Sequence, residues 1–329
     1  MIESKEQLAE AAGRIAALRE EVGKVIVGQR TVVDQLLWCL VAGGHALLEG
    51  IPGLGKTMLV RTVADAVALQ FSRIQFTPDL MPSDITGTTL IDFGAAGAAS
   101  QRFQPGPIFG NLVLADEINR ATPKTQSALL EAMQEGTVTA GGETHKLPRP
   151  FFVLATQNPI EQEGTYPLPE AQLDRFLLKI GVDYPTREDL KEIVRRTTTS
   201  AKPSASTIIS GSELLELQAA ARELLVSEDV LDNAVKLVMM THPGEEDAPE
   251  EIKRYARFGA GPRALQALVS VAKVKALASA RLHVSWGDIR DVALPVLRHR
   301  IVLSYEAQAL GMDTDAMTMS IIREIEAKR

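Results

Sequence analysis

The stretch Gly50-Ile51-Pro52-Gly53-Leu54-Gly55-Lys56-Thr57-Met58 fits the pattern G-x-x-x-x-G-K-[ST] and decides the fold. Glycines in such a loop let backbone N–H groups wrap around phosphates with no Cβ in the way. A helix opening at Lys56 points the positive end of its dipole at the same anions. Lys56 is expected to reach β- and γ-phosphates, and the Thr57 hydroxyl to ligate Mg²⁺. The flanks agree: the apolar run His45–Leu48 precedes the loop, and a helical period, Met58–Leu69, follows it. Strand, glycine loop and helix open an α/β nucleotide-binding unit.

Upstream, Leu8, Ala11, Ile15, Leu18 and Val22 mark one face of a helix over residues 4–22, and Arg30–Val41 reads as a second helix. Between them, Val25-Ile26-Val27-Gly28-Gln29 is expected to pack on the base of a bound nucleotide, with Gly28 and Gln29 in contact. Downstream, short apolar runs recur at Ile74–Phe76, Leu112–Ala115, Phe151–Ala155 and Phe176–Ile180, separated by helical segments such as Lys124–Gln134 and Arg187–Arg196. Buried runs alternating with helices indicate a mostly parallel sheet with helices on both faces. Pro78–Pro107, with Phe93-Gly94 inside it, is too long for a plain connection and reads as an insert. Gly136–Pro150 reads as a hairpin turning at Gly141-Gly142. A polar linker, Thr197–Ser206, follows. Everything beyond it reads as helix, with no strand signal: Ser212–Leu225, Val230–Met240, Arg263–Ala280, Trp286–Leu303 and Asp315–Lys328. The expected architecture is a P-loop α/β core over residues 1–200, including the N-terminal helix, and an all-α domain over residues 210–329.

Bulk properties narrow the class. With 45% apolar and 23% charged residues the chain is an ordinary globular one, and no apolar run approaches the roughly 20 residues that span a bilayer. The charged N-terminus lacks the apolar stretch of a signal peptide, so a cytoplasmic location and no membrane insertion are expected. The single cysteine, Cys39, excludes an internal disulfide and a cysteine metal cluster. The five histidines show no ligand spacing. A net charge of −7 and 5% aromatics argue against nucleic acid as a partner.

Four further stretches carry chemistry. Leu112-Val113-Leu114-Ala115-Asp116-Glu117 is an apolar strand ending in two carboxylates, with Asp116 placed to hold Mg²⁺ and Glu117 to polarise the attacking water. Gln157-Asn158-Pro159 closes the run Phe151–Thr156; the Asn158 amide can orient that water, and an Asn-Pro turn is the plainer alternative. In Glu170-Ala171-Gln172-Leu173-Asp174-Arg175-Phe176, Arg175 is either an arginine finger toward a neighbouring subunit or a surface partner of Asp174 or Glu170. Gly259-Ala260-Gly261-Pro262-Arg263 opens a long helix, and an arginine in its first turn opposes the helix dipole: Arg263 either meets an outside anion such as a phosphate or is a solvated arginine.

The ordered set resembles the MoxR family of AAA+ ATPases from Val25 to about Leu303. Its marks are Gly50–Thr57, Ala115-Asp116-Glu117-Ile118-Asn119-Arg120-Ala121, Ala155-Thr156-Gln157-Asn158-Pro159, Leu168–Phe176 and Gly261-Pro262-Arg263. The resemblance implies binding and hydrolysis of ATP with Mg²⁺. It makes Asn158 the sensor 1 residue, Arg175 the arginine finger, and Arg263 the sensor 2 residue coupling the helical lid to the γ-phosphate. Pro78–Pro107 is similar to the insert that marks the clade shared with magnesium chelatase and minichromosome helicases, and Gly136–Pro150 to that clade's hairpin before sensor 1. Family members often carry serine where Gly261 stands. They are usually hexameric rings that act as chaperones on other proteins, often beside partners with von Willebrand factor A domains. This chain has no D-x-S-x-S motif, so such a domain would belong to another protein. The rival functions are a nucleic-acid motor or metal-chelatase-like motor subunit of the same clade, and a nucleotide-gated scaffold. The hairpin's few cations, Lys146 and Arg149, weigh against the nucleic-acid motor, and intact Glu117, Asn158 and Arg175 against the scaffold.

Overall fold

Three central strands apolar on both faces, with an edge strand on either side, build the centre of the described residues. A computed structural model describes residues 4–93, 99–158, 164–198 and 203–328. In it β1 (Ala46–Glu49), β2 (Phe71–Gln75), β3 (Leu112–Asp116), β4 (Phe152–Gln157) and β5 (Leu178–Gly181) form a parallel sheet in the order β2-β3-β4-β1-β5. Side chains alternate across a strand. Accordingly Leu48, Leu114, Leu154 and Ile180 face one apolar cluster, while Leu47, Val113, Val153 and Ala155 face another. Pro159, part of the sequence expectation, lies outside the described residues, as do Gly94 and residues 199–202 of the linker.

Among the described residues, ten helices of eight residues or more surround the sheet and are numbered in chain order; shorter ones are given by range. They are α1 (Lys5–Val25), α2 (Arg30–Ala42), α3 (Lys56–Ala66), α4 (Pro123–Glu135), α5 (Arg187–Thr197), α6 (Gly211–Arg222), α7 (Glu228–Met239), α8 (Pro262–Ala278), α9 (Trp286–Leu297) and α10 (Thr314–Ala327). Leu129, Leu130 and Met133 of α4 cover the second face; α1, α2 and α3 cover the first. That first cluster continues without a break into α8 and α9 through Leu268, Val271, Ile289 and Val292, so the C-terminal helices share a core with the N-terminal ones. α6 opens with a capping box between Ser210 and Glu213.

The insert is a short helix, Pro82–Thr86, followed by antiparallel strands Gly87–Phe93 and Ala99–Pro105. The second hairpin pairs Thr137–Ala140 with Glu143–Lys146, and Gly141 and Gly142 both have positive φ, as a two-residue hairpin turn of this hand requires.

Two expectations need correction. The helical half is not free of strands: Ala256–Phe258 pairs antiparallel with Val302–Leu303. Strands of two or three residues are too short to show a period in sequence. The helix expected over Trp286–Leu303 stops at Leu297, two residues beyond Pro295, which has no N–H to donate. Arg298 caps the helix, and the side chains of Arg298, His299 and Arg300 donate to core carbonyls.

His45, just ahead of β1, joins three elements. Its Nδ1 accepts from the Val153 N–H at 3.0 Å, leaving Nε2–H to donate to the Met133 carbonyl at 3.1 Å. Burial lowers the imidazole pKa to about 4, although the Met133 carbonyl favours the charged form. In the unfolded chain it titrates near 6.5, so between these values the unfolded state binds the extra proton and stability is lost as the pH drops. This contribution is complete above about pH 6.5 and declines by up to about 1.4 kcal/mol per unit toward pH 4. Denaturant melts of His45→Gln between pH 6.5 and 4.5 should show a shallower decline than wild type; parallel curves would remove His45 from the acid response.

Candidate functional site

The loop after β1 wraps as its glycines require. Gly53 and Gly55 have φ of +85° and +76°, the left-handed region that side chains disfavour. A Cβ on Gly50 would meet the Val182 carbonyl at 2.9 Å. Gly55 caps α3, and Lys56 and Thr57 occupy its first turn. The Lys56 ammonium donates to the Gly50 carbonyl at 2.7 Å, curled over the loop it is expected to serve. Half-burial lowers its pKa from the usual lysine value, against the pull of Asp116, Glu117 and Glu49.

Asp116 ends β3, and Glu117 follows with φ 57° and ψ 49°, an uncommon conformation for a non-glycine residue. That backbone is held by the Thr156 hydroxyl, which accepts from the Glu117 N–H at 2.8 Å and donates to Asp116 Oδ1 at 2.6 Å. From the neighbouring strand, Arg73 donates to Asp116 Oδ2 at 2.7 Å and the Gln75 amide to Glu117 Oε2 at 2.9 Å. Asn158, buried, lies just past the end of β4. Lys56, Asp116, Glu117 and Asn158 therefore gather at the C-terminal edge of the sheet. The Asp116 carboxylate has the charge to hold a cation, and the Arg73 guanidinium already lies against it at 2.7 Å.

A cavity of about 650 Å³ opens beside the loop. Its walls are Val25, Ile26 and Val27, the glycine loop with Met58, and Tyr184, Leu190 and Ile193. Gly28 and Gln29 turn with φ of +66° and 48°, and a Cβ on Gly28 would strike the Asp189 carboxyl at 2.7 Å. The Gln29 amide donates to the Leu54 carbonyl at 3.2 Å, tying this segment to the glycine loop. α5 buries none of its residues fully and offers its apolar side to the cavity. An apolar slot beside a phosphate loop suits a planar base.

The two other arginines are elsewhere. Arg175 precedes β5, and Leu178 pairs with Ala46 at the start of β1, so Arg175 lies at the N-terminal edge of the sheet. Strands of this length put roughly 10 Å of backbone between the two edges before the loops are counted. Arg263 lies with Arg175 in a cleft of about 310 Å³, together with His45, Asp174 and Arg300, and none of the glycine loop lines it. Arg263 therefore lines a different cavity from the glycine loop of its own chain. Asp174 is taken by Arg300 Nε at 2.8 Å, with Arg263 at 4.0 Å, and among the described residues no carboxylate pairs with Arg175. Gly261, where relatives often carry serine, caps α8 in an extended conformation with nothing within 4 Å of a Cβ, so nothing in the backbone demands glycine there.

Sequence reasoning missed Arg73, Gln75, Thr156 and Arg300. Arg73 and Gln75 flank buried Ile74 at strand spacing, which puts both on the face opposite it, but nothing local names the carboxylates as their partners.

Comparison with known proteins extends the assignment. Residues 45–178 match the profile of the ATPase family associated with various cellular activities (AAA), and residues 249–325 that of the AAA lid domain. Chaperone MoxR1 of Mycobacterium tuberculosis is 47% identical over 93% of this chain and 80% of its own length. Protein MoxR of Methylorubrum extorquens is 31% identical over 88% and 87%. The crystal structure of an ATPase candidate from Cytophaga hutchinsonii superposes with a TM-score of 0.90 at 43% identity, covering 97% of this chain and 96% of that one.

If the apolar slot holds the base, Leu190→Ala with Ile193→Ala should weaken ATP and ADP alike. The loss should be about tenfold, from roughly 1–2 kcal/mol of lost apolar contact. Titration with a fluorescent nucleotide reads this, and an unchanged affinity would place the base elsewhere.

Proposed function

The chain belongs to the MoxR family of AAA+ ATPases, and on that premise we propose that it hydrolyses ATP as a ring, each site completed by the next subunit. The observation that carries this reading is the separation of Arg175 and Arg263 from the glycine loop, at the opposite edge of the sheet. In the reading, residues 1–200 are the ATP-binding core and residues 210–329 the lid. Gly50–Met58 cradle the phosphates, with Lys56 on the β- and γ-phosphates. Thr57 and Asp116 would hold Mg²⁺, which offsets phosphate charge when bound. Glu117 takes the proton of the attacking water and Asn158 orients that water. Arg175 and Arg263 present cationic groups to the γ-phosphate of the adjacent subunit, where charge develops in the transition state. The cleft around them presents the cationic groups of Arg175 and Arg263, which suit a phosphate.

The similarity to a protein named a chaperone supports a protein-remodelling role. The family resemblance in sequence adds the rest of the proposal: a cytoplasmic hexamer working with a partner that bears a von Willebrand factor A domain. Pull-down with Glu117→Gln protein and ATP would identify client and partner.

The variants separate the roles. Lys56→Ala should lower nucleotide affinity at least about tenfold. Glu117→Gln should bind ATP normally and turn over very slowly. Arg175→Ala should bind ATP nearly normally and lose about 10³-fold or more in kcat. Mixed rings of Lys56→Ala subunits, with an intact finger, and Arg175→Ala subunits, with an intact site, should regain activity. Verified mixed rings that gain nothing would refute the shared site.

A further inference from the structure

One buried side chain from the lid grips the segment that carries Arg175. Arg300 Nε donates to Asp174 Oδ1 at 2.8 Å. Nη1 donates to the carbonyls of Leu177 at 3.2 Å and Val296 at 2.5 Å, and Nη2 to those of Phe176 at 2.7 Å and Asp174 at 3.4 Å. A guanidinium has five N–H donors. All five are used here, and four of their acceptors lie on Asp174, Phe176 and Leu177, on both sides of Arg175. The side chain is only 3% exposed. Burying a guanidinium costs several kcal/mol unless its donors are met, so this arrangement tolerates little displacement. The neighbours add to the grip: His299 Nε2 donates to the Phe176 carbonyl at 3.0 Å and Arg298 Nη1 to that of Lys179 at 3.1 Å.

The segment that leads into the lid, residues 207–209, is fastened to the helix that begins at the glycine loop. The Ile208 N–H donates to the Ala66 carbonyl at 2.8 Å, the Ile209 N–H to the same oxygen at 3.3 Å, and the Thr207 hydroxyl to the Asp65 carbonyl at 3.1 Å. Ala66 is the last residue of α3.

We propose that Arg300 is the positioning residue for Arg175, so that the lid of each subunit sets how well that subunit completes its neighbour's site. The proposal rests on the trans role of Arg175. Arg300 touches no nucleotide. It fixes the Asp174–Leu177 backbone and occupies the carboxylate that would otherwise draw Arg175 into a local ion pair. Lysine would keep the charge but, with three donors on a flexible stem, could not reproduce the fork.

Mixed-ring assays test this by direction. Arg300→Met and Arg300→Lys should form rings by sedimentation and bind a fluorescent ATP analogue with unchanged affinity, yet lose at least about tenfold in kcat, within what a finger supplies. Mixed with Lys56→Ala subunits, which supply sound fingers, they should regain activity. Mixed with Arg175→Ala subunits, which need a finger, they should not, although Lys56→Ala rescues Arg175→Ala in parallel. Where Arg300→Met fails to fold because Asp174 is left unpaired, the Asp174→Asn/Arg300→Met double variant and Arg300→Lys carry the same comparison. Arg300 variants that rescue Arg175→Ala as well as Lys56→Ala does would overturn the proposal. So would variants deficient in both directions, since that marks general damage. Failure of the Lys56→Ala and Arg175→Ala control mixture would instead remove the trans finger itself, and the proposal with it.

Discussion

All strands of a parallel sheet run the same way, and that constraint sorts the chemistry of this protein. Segments that follow strands collect at one edge, and segments that precede them at the other. The glycine loop follows β1, Asp116 and Glu117 close β3, and Asn158 follows β4, so phosphate cradle, carboxylates and amide share the C-terminal edge. Arg175 precedes β5 and is confined to the far edge. No adjustment of a loop removes this separation without reversing a strand. Burial of both sheet faces holds the strands in register, because a slip of one residue would exchange the two apolar clusters.

The same edge is where the lid takes hold. At the end of α9 three consecutive side chains donate to carbonyls around β5. A buried arginine is tolerated there because each N–H has an acceptor, and Asp174 serves it and not Arg175. At the opposite edge, Arg73 and Gln75 hold the two carboxylates from β2 and Thr156 fixes the backbone between them. Each cluster of chemical groups thus has a set of polar residues behind it that fixes its geometry.

Features encoded locally were legible in the sequence. The glycines at 53 and 55, the carboxylates at the end of an apolar run and the Gly141-Gly142 turn all follow from backbone conformation or strand alternation. Pairings across long separations were not. Arg73 lies 43 residues from Asp116, and Arg300 lies 126 residues from Asp174. Nearness in sequence instead offered Asp174 to Arg175. The apolar residues Ile301, Val302 and Leu303 extended the apparent period of α9, though their role is in a loop and a two-residue strand. The helix α5 could be expected from its period, whereas the cavity that Leu190 and Ile193 line depends on where the N-terminal segment passes.

The central claim is that a complete catalytic site exists only between two subunits. ATPase activity per subunit, measured against protein concentration with sedimentation at each point, tests it most directly. Activity should climb from a low background and level off in step with the fraction of assembled protein, and Arg175→Ala should stay at background while assembling equally well. Activity per subunit that is constant while monomers become rings would contradict the account.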